Sequence, residues 1–282
     1  MLVNIYTRTD TRSKVLGAAM AQGIRAVGDN ALITPTPYYG GPGTDDVALF
    51  YAYKGECRKI MADYLEADRR VVYIDRGYFG TKPFGTDHYS GYHRFAINRL
   101  HPTPEDVMDA VGDIDRWKSH RIDPQPRKKG SHILLAGMSP NQARKAGLKP
   151  GEWEAETARE LRAVTNRTIL YRPKPSWEDA PAIQGTVEDP AGTLKQALEG
   201  CHLTVSHHSN VAIDGLLAGV PGMVETGPAS AMCQMTDQIE EPFFPDKTHL
   251  TQFLSGLSYW QWNRDEMNSG AAWNFLRLRC MQ

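Results

Sequence analysis

The sequence predicts an α/β protein made of two Rossmann-like domains that face a cleft. Two observations support this prediction. Short apolar runs typical of buried strands alternate with segments of helical periodicity in both halves of the chain. A stretch rich in proline and basic residues, 113–130, separates the halves and is typical of an interdomain linker. The length of 282 residues fits two domains of ordinary size.

The first half has the order strand, helix, strand, strand, helix, strand, which favours a parallel sheet. The run VVYI is the most apolar of these strands and ends at Asp75. The predicted strands are residues 2–6, 31–33, 47–51 and 71–74, and the predicted helices are residues 13–27, 58–67 and 104–111.

The second half has a βαβ series of its own. Its predicted strands are residues 133–136, 168–171, 203–205 and 223–225, and its predicted helices are residues 154–164, 194–198 and 211–220. The tail that follows is predicted to be helical, and its aromatic side chains indicate packing against a larger body more than stacking on bases. These aromatic residues are Phe253, Tyr259, Trp260, Trp262, Trp273 and Phe275. We therefore predict domains at residues 1–125 and 131–255, and a C-terminal helix at 256–282 that crosses back to the first domain.

Composition excludes several classes of protein. The chain is 41% hydrophobic and carries a net charge of −1, so bulk charge gives no argument for nucleic acid. No run of eighteen apolar residues indicates a membrane span, and the start MLVNIYTRTD lacks the features of a signal peptide. The four cysteines are too widely spaced to indicate a zinc site or a disulfide framework. We expect a cytoplasmic protein, a monomer or weak dimer, that has no membrane partner.

The most informative stretch is CHLTVSHHSNVAIDGLLAGVPGMVE, residues 201–225. It predicts a buried strand, then a polar turn, then a helix that is stopped by Gly219 and Pro221. Backbone N–H groups at such a turn favour phosphate binding, and Asp214 would share a helix face with Asn210. An ordinary βαβ crossover with a Ser or Asn cap explains the same pattern, so both interpretations remain open.

Two further stretches are candidates for ligand binding. The loop at residues 75–102 is long and rich in Tyr, His, Gly and Asn, and it follows a predicted parallel strand, where open α/β sheets bind ligands. The segment 116–129 carries six basic residues against Asp123 alone. Such a segment can contact phosphates, although a solvated linker has the same composition.

The motif Ser206-His-His-Ser-Asn210, followed by Asp214 and Leu217-Ala-Gly-Val-Pro221, resembles the nucleotide-sugar signature of the GT-B glycosyltransferase superfamily. This resemblance implies that the polar turn binds the donor diphosphate and that Asp214, where family members usually have Glu, binds the ribose. The donor-binding residues it implies are Ser206, Ser209, Asn210 and Asp214, and we predict His207 as a further one. The cations Arg172 and Lys174 after a predicted strand would neutralise the diphosphate. The co-substrate is then a nucleotide-diphosphate sugar, most simply a UDP-sugar, with no essential cofactor or metal.

Two other stretches resemble phage-encoded GT-B-like proteins, some of which glycosylate modified bases in DNA. They are YIDRGY (residues 73–78) with NxxHP (98–102), and WxW (260–262) with the segment up to residue 273. The resemblance implies a hydroxymethylated pyrimidine in DNA as acceptor and, for a phage protein, the host cytoplasm as location. The predicted acceptor-binding residues are Tyr78, Tyr92, Asn98, Arg127 and Lys128. The predicted base is Asp75, with His93 and His101 as alternatives.

Three alternatives stay open. The donor motif also resembles that of capsule-building sugar transferases, so the acceptor is then a glycan or lipid. The same scaffold suits a sugar-nucleotide 2-epimerase. A nucleotide-sugar-binding module without catalysis is the non-enzymatic alternative.

Overall fold

The computed structural model describes residues 1–82, 89–110 and 112–281. It divides into two compact units. The first contains residues 1–120 and 254–282, and the second contains residues 121–253. The chain therefore leaves the first unit once and returns to it at the end.

The first part of the chain forms strands and helices in the predicted alternation. They are β1 (Leu2–Thr7), α1 (Thr11–Ala26), β2 (Asn30–Pro35), β3 (Val47–Tyr51), α2 (Cys57–Glu66), β4 (Arg70–Arg76), β5 (His93–Ile97), α3 (Pro104–Asp109) and α4 (Ile114–Ser119). Helix α1 begins after Asp10, whose side chain accepts a hydrogen bond from the backbone N–H of Ser13.

Strands and helices also alternate in the second unit. Its elements are β6 (His132–Ala136), α5 (Pro140–Lys145), α6 (Glu152–Val164), β7 (Thr168–Arg172), β8 (Val187–Glu188), α7 (Leu194–Ala197), β9 (Cys201–Ser206), α8 (Val211–Leu217) and β10 (Gly222–Val224). The chain ends with α9 (Lys247–Tyr259), β11 (Gln261–Trp262), α10 (Arg264–Asn268) and α11 (Ala271–Cys280). None of the helices in the described ranges has the length and apolar character needed to cross a membrane.

Each unit is built on one sheet. The first sheet has the order β11-β5-β4-β3-β1-β2, in which β1 to β4 are parallel and β5 is antiparallel to its two neighbours. The second sheet has the order β10-β9-β6-β7-β8 and is parallel throughout. The predicted α/β class with two Rossmann-like domains is therefore confirmed.

Strand β5 lies inside the stretch that the sequence predicted to be a continuous loop, residues 75–102. It pairs with β4 over Val72–Arg76, so this part of the loop belongs to the sheet. At the end of β5, Asn98 adopts a left-handed φ of 60° and its side-chain oxygen accepts a hydrogen bond from the N–H of Val71 at 2.9 Å. The Asn98 side chain therefore closes the β4–β5 pairing, a structural role that the acceptor-binding prediction did not anticipate.

The tail packs on the first unit through its aromatic side chains. Trp260 and Trp273 are buried, and the indole N–H of Trp273 donates to Asp29 at 2.8 Å. Helix α10 crosses α1 at Gly23, where an added Cβ would overlap the carbonyl oxygen of Met267. The tryptophans of the tail are packed inside the first unit, and the tail contains a strand and three helices where helix was predicted.

The predicted linker, residues 113–130, is divided between the two units. Its first part forms α4, whereas residues 121–130 belong to the second unit. There the N–H of Gln125 donates to the carbonyl oxygen of Leu217 at 2.9 Å, and the N–H of Lys128 donates to that of Gly219 at 2.8 Å. The end of this segment is therefore fixed against the turn that follows α8.

Arg116 begins the basic segment but points into the first unit. Its guanidinium lies 3.7 Å from the ring centroid of Trp262 and donates to the carbonyl oxygens of Ser258 and Gln261 at 2.8 and 2.7 Å. A further bond reaches Glu266 at 2.7 Å. Stacking, two carbonyl acceptors and a carboxylate make Arg116 a structural residue that holds α4 to the C-terminal segment.

We expect Arg116→Gln to lower the free energy of unfolding by about 2–4 kcal/mol, because it leaves the Glu266 carboxylate and two carbonyl groups without their donor. Lys118→Gln is the matched control, since Lys118 is exposed in the same helix and forms an exposed ion pair with Asp115. Urea denaturation followed by tryptophan fluorescence measures both. Equal stability of the two variants would contradict the structural role of Arg116.

Candidate functional site

The second sheet has a switch point in its strand order. Strand β7 is added on one side of β6 and β9 on the other, so the order reverses between β6 and β9. In open α/β sheets ligands bind outside the carboxyl ends of the strands at this point. The segments that leave this edge are residues 137–139 after β6, 173–174 after β7, 207–210 after β9 and 225–226 after β10.

Two of the predicted donor-binding residues meet at this edge. The ammonium group of Lys174 donates to the hydroxyl of Ser209 at 3.2 Å, and that hydroxyl also accepts a hydrogen bond from the N–H of Val211. Ser209 thus satisfies the start of α8, whereas the Asn210 side chain makes no capping bond. Asp214, half-buried, lies in the first turn of the same helix.

Helix α8 is shorter than predicted and contains seven residues. Its dipole is correspondingly small, so anion binding at this edge depends on side chains such as Lys174 and Ser209. Ser206, another predicted phosphate ligand, is 1% exposed, and its hydroxyl has no hydrogen-bond partner among the described residues.

Arg172 makes structural contacts within the second unit. Its guanidinium donates to Asp189 at 2.5 Å and to the carbonyl oxygen of Ala191 at 2.9 Å, and the side chain of Asp189 is 1% exposed. This partly buried ion pair attaches β7 to the segment after β8. Of the two predicted cations, Lys174 is the one that contacts the polar turn.

His207 and His208 hydrogen-bond to each other, which the sequence analysis did not predict. Their Nδ1 atoms lie 2.9 Å apart. His207 Nε2 lies 3.5 Å from a carboxylate oxygen of Glu225, and the other oxygen of that carboxylate accepts a hydrogen bond from the indole N–H of Trp153. The His207 ring packs edge-on against Trp153. Glu225 directly follows a parallel strand, so its place at this edge was readable from the sequence.

Glu154 of α6 contacts the segment that follows β6 at the same edge of the sheet. It is completely buried, and one of its oxygens accepts a hydrogen bond from the N–H of Met138 at 2.6 Å. Burial, together with the charge of Glu154, raises the pKa of Tyr171 to about 12. An added Cβ at Gly137 would lie 3.0 Å from the Tyr171 hydroxyl. Glu154 therefore fixes the path of residues 137–139, and nothing in the sequence pattern distinguished it from a surface glutamate.

The first unit places the predicted bases Asp75 and His93 at one edge of its sheet. Asp75 lies one residue before the end of β4, and His93 begins the antiparallel strand β5 opposite Arg76, so these ends coincide. The Asp75 carboxylate accepts hydrogen bonds from the Tyr73 hydroxyl at 2.5 Å, from Arg94 at 3.1 Å and from the N–H of Arg76 at 2.8 Å. These three donors hold the carboxylate firmly in place.

His93 is 2% exposed and packs edge-on against Tyr51, 6.2 Å between ring centroids. Burial, with the charge of Arg12 as a second cause, lowers the pKa of His93 to about 4. Its Nδ1 has no hydrogen-bond partner in the described part of the chain. At neutral pH His93 is therefore an uncharged imidazole held inside the first unit.

The remaining predicted residues are dispersed. Tyr78 is buried, and its hydroxyl lies 3.3 Å from Nδ1 of His101. Tyr92 packs against the ring of His120, 4.3 Å between centroids. Arg127 and Lys128 are exposed in the second unit, where Arg127 lies 3.7 Å from Glu241. No group of three metal-binding side chains occurs in residues 1–82, 89–110 and 112–281.

Comparison with known proteins shows likeness at the level of structure. No family model matches the chain, and no curated protein matches it. The β-Kdo 2,4 transferase of KpsC from Thermosulfurimonas dismutans superposes with a TM-score of 0.57 at 12% identity, covering 93% of this chain and 91% of that one. The β-Kdo 2,7 transferase of the same KpsC gives a TM-score of 0.54 at 12% identity, covering 98% and 99%.

The chain has a glycosyltransferase-like fold. The likeness extends over nearly the whole of both chains, so it includes both units and the returning C-terminal segment. At 12% identity the likeness concerns the path of the backbone. The choice of donor and acceptor depends on the side chains of this protein.

We expect the free energy of unfolding to decrease as the pH falls from about 6.5 to 4. The unfolded chain binds a proton at His93 in this range and the folded chain does not, so the folded state loses up to about 3 kcal/mol. The pKa of His120 is lowered to about 4 by burial and by Arg116, which adds a loss of the same sign. Denaturation midpoints measured across this range should fall less in His93→Gln, and an unchanged dependence in that variant would contradict the buried neutral imidazole.

Proposed function

We propose that the protein is a glycosyltransferase that takes its sugar from a nucleotide-diphosphate donor, most simply a UDP-sugar. The observation that carries the proposal is the contact between Lys174 and Ser209 at the switch point of the second sheet, directly before the helix that bears Asp214. Cation, hydroxyl and carboxylate are the groups that a diphosphate joined to a ribose requires. The fold shared with two sugar transferases supports the same conclusion.

Each group has a defined task in this proposal. Lys174 neutralises the negative charge that grows on the diphosphate as the bond to the sugar breaks. Ser209 orients the ammonium group, and Asp214 accepts hydrogen bonds from the ribose hydroxyls. The acceptor hydroxyl must lose a proton to a base, for which Asp75, His93 and His101 are the candidates.

The acceptor proposed from the sequence is a hydroxymethylated pyrimidine in DNA. Some residues that motivated it have other contacts in the structure. Arg116 is held by Glu266 and Trp262, and Tyr78 is buried. The exposed pair Arg127 and Lys128 remains as the candidate phosphate contact of the described residues.

A glycan acceptor of the capsule type is the second candidate. The observation that favours it is the likeness in fold to two transferases of the sugar Kdo. An epimerase on the same scaffold would convert a nucleotide sugar in the absence of any acceptor. A binding module would retain the nucleotide and turn nothing over.

We expect Lys174→Ala and Asp214→Ala each to weaken UDP binding about tenfold or more, because each removes a charged or charge-assisted contact to the nucleotide. Lys195→Ala is the control, since Lys195 is exposed on α7. Isothermal titration calorimetry of folded variants measures the affinities. Wild-type affinity in both test variants would reject the assigned nucleotide site.

For a DNA acceptor, transfer should decrease steeply between low and moderate salt, because the phosphate contacts release counterions. The double variant Arg127→Ala, Lys128→Ala should reduce this salt dependence by about two phosphate contacts. Labelled sugar transfer to hydroxymethylated duplex DNA, to the free nucleoside and to an oligosaccharide distinguishes the acceptors. Salt-independent transfer that is equal for nucleoside and duplex would reject DNA.

A further inference from the structure

The first turn of α6 contacts the ends of neighbouring strands. Strands β10, β9 and β6 are adjacent in the second sheet, in that order. The indole N–H of Trp153 donates a hydrogen bond to the carboxylate of Glu225, which follows β10. The carboxyl group of the next residue, Glu154, accepts a hydrogen bond at 2.6 Å from the N–H of Met138 in the segment after β6. Two consecutive residues of one helix thus hold the segments that lie on either side of the end of β9.

The segment after β9 is attached to the same turn. The His207 ring packs edge-on against the Trp153 ring, with 5.8 Å between the ring centroids. His207 Nε2 lies 3.5 Å from Glu225, and the His207 carbonyl oxygen accepts a hydrogen bond from the N–H of Thr226 at 2.9 Å. Ser209, a residue of the proposed donor site, is two positions further along the chain. The contacts of Trp153 therefore extend to the part of the edge that the proposed function assigns to the diphosphate.

The segment after β6, residues 137–139, uses all its backbone N–H groups inside the protein. They donate, in order, to the carbonyl oxygen of Arg172 at 3.0 Å, to Glu154 at 2.6 Å and to the side-chain oxygen of Gln142 at 3.2 Å. An anion would have to break one of these bonds to bind here. The segment therefore bounds the site by its position, and Glu154 fixes that position.

The stability of the fold alone does not explain Glu154. Its side chain is completely buried, yet Oε2 has no hydrogen-bond partner among the described residues. Burying a polar oxygen without a partner costs free energy. The carboxyl group is thus present at a cost in stability, and what it provides is a fixed place for the segment after β6.

We propose that Trp153 and Glu154 are positioning residues of the nucleotide site, which hold the segments after β6, β9 and β10 at a fixed spacing without touching the nucleotide. The proposal rests on the proposed function, because the site it concerns is the one assigned to the donor. Trp153 acts through Glu225 on the segment after β9, whereas Glu154 acts through Met138. Loss of either contact lowers the fraction of molecules in which the binding groups are correctly spaced, and the apparent affinity falls by that fraction.

Trp153→Phe tests the first contact, since it keeps an aromatic ring and removes the indole N–H. We expect UDP to bind about fivefold more weakly to this variant, the equivalent of one lost hydrogen bond. Trp117→Phe is the control, since Trp117 is buried in the first unit, where it packs against Phe79. Isothermal titration calorimetry measures the affinities, and wild-type affinity in Trp153→Phe overturns the role of Trp153.

A double variant tests the route through Glu225. In a Glu225→Ala background the contact of Trp153 is already lost, so Trp153→Phe should weaken UDP binding no further. The same calorimetric titration compares the two single variants with the double variant. A loss of affinity in the double variant equal to the sum of the single losses in free energy overturns this route.

The second contact is tested by a pair of variants at Glu154. Glu154→Leu removes the acceptor of the Met138 N–H, whereas Glu154→Gln keeps an oxygen that can accept it. We expect UDP affinity to fall about tenfold in Glu154→Leu and to stay within about twofold of the wild type in Glu154→Gln. Glu156→Leu is the control, since Glu156 is exposed on the same helix.

A purely structural role predicts lower thermal midpoints with unchanged affinity of the folded protein. Equal UDP affinity of the folded Leu and Gln variants at position 154 therefore overturns the positioning role of Glu154. If Glu154→Leu does not fold, Glu154→Asp makes the same comparison, because its carboxyl group is withdrawn by one methylene from Met138.

Amide hydrogen exchange without nucleotide separates this proposal from the proposed function. By NMR, the N–H of Thr226 should exchange faster in Trp153→Phe, and that of Gly137 faster in Glu154→Leu, although neither N–H bonds to the substituted residue. Unchanged exchange in both variants overturns the positioning role itself. Faster exchange in a protein that does not bind UDP overturns the assigned nucleotide site, and with it the part of both residues in donor binding.

Discussion

The common direction of the five strands in the second sheet is the constraint on which the candidate site depends. Because β6, β7, β9 and β10 are parallel, the segments that follow them leave the sheet at one edge. Residues that are separated by up to 88 positions, such as Met138 and Thr226, thereby come to one region. The site is polar because strands that are buried on both faces leave only their ends for polar side chains. Glu154, fully buried beneath the edge, fixes the first of these segments through Met138.

The sequence predicted the strands that contain an apolar run, including the largely exposed β2, and missed β5, β8 and β11. VVYI in β4 and ILLA in β6 are apolar throughout, so both can be assigned as strands without knowing which strands they pair with. Strand β5 reads HRFAI and β11 has two residues, so neither has a pattern distinct from a loop. Strand β5 forms because it pairs with β4 and β11, and β11 forms because it pairs with β5, which lies more than 160 residues away; the local pattern of neither strand contains this information.

The candidate site could be predicted in position but only partly in its contacts. Lys174 and Ser209 meet because both follow parallel strands, a relation that the predicted topology already implies. Arg172 is the last residue of β7 but forms an ion pair with Asp189, and Arg116 forms an ion pair with Glu266. A surplus of basic residues in the sequence therefore overestimates the cations available to a ligand. Whether a given arginine has a buried carboxylate partner is decided by packing over long separations.

The division of the chain into one continuous and one interrupted unit has a consequence for biosynthesis. The second unit is a single segment, residues 121–253, and can complete its sheet while the last residues are still in the ribosome. The first unit must wait, because α10 packs on α1 and the indole of Trp273 bonds to Asp29. Until then the edge of β5 that β11 covers is open, and the nascent first unit is an incomplete sheet. The interval between the two folding events is the stage at which this protein is most exposed to aggregation and to chaperones.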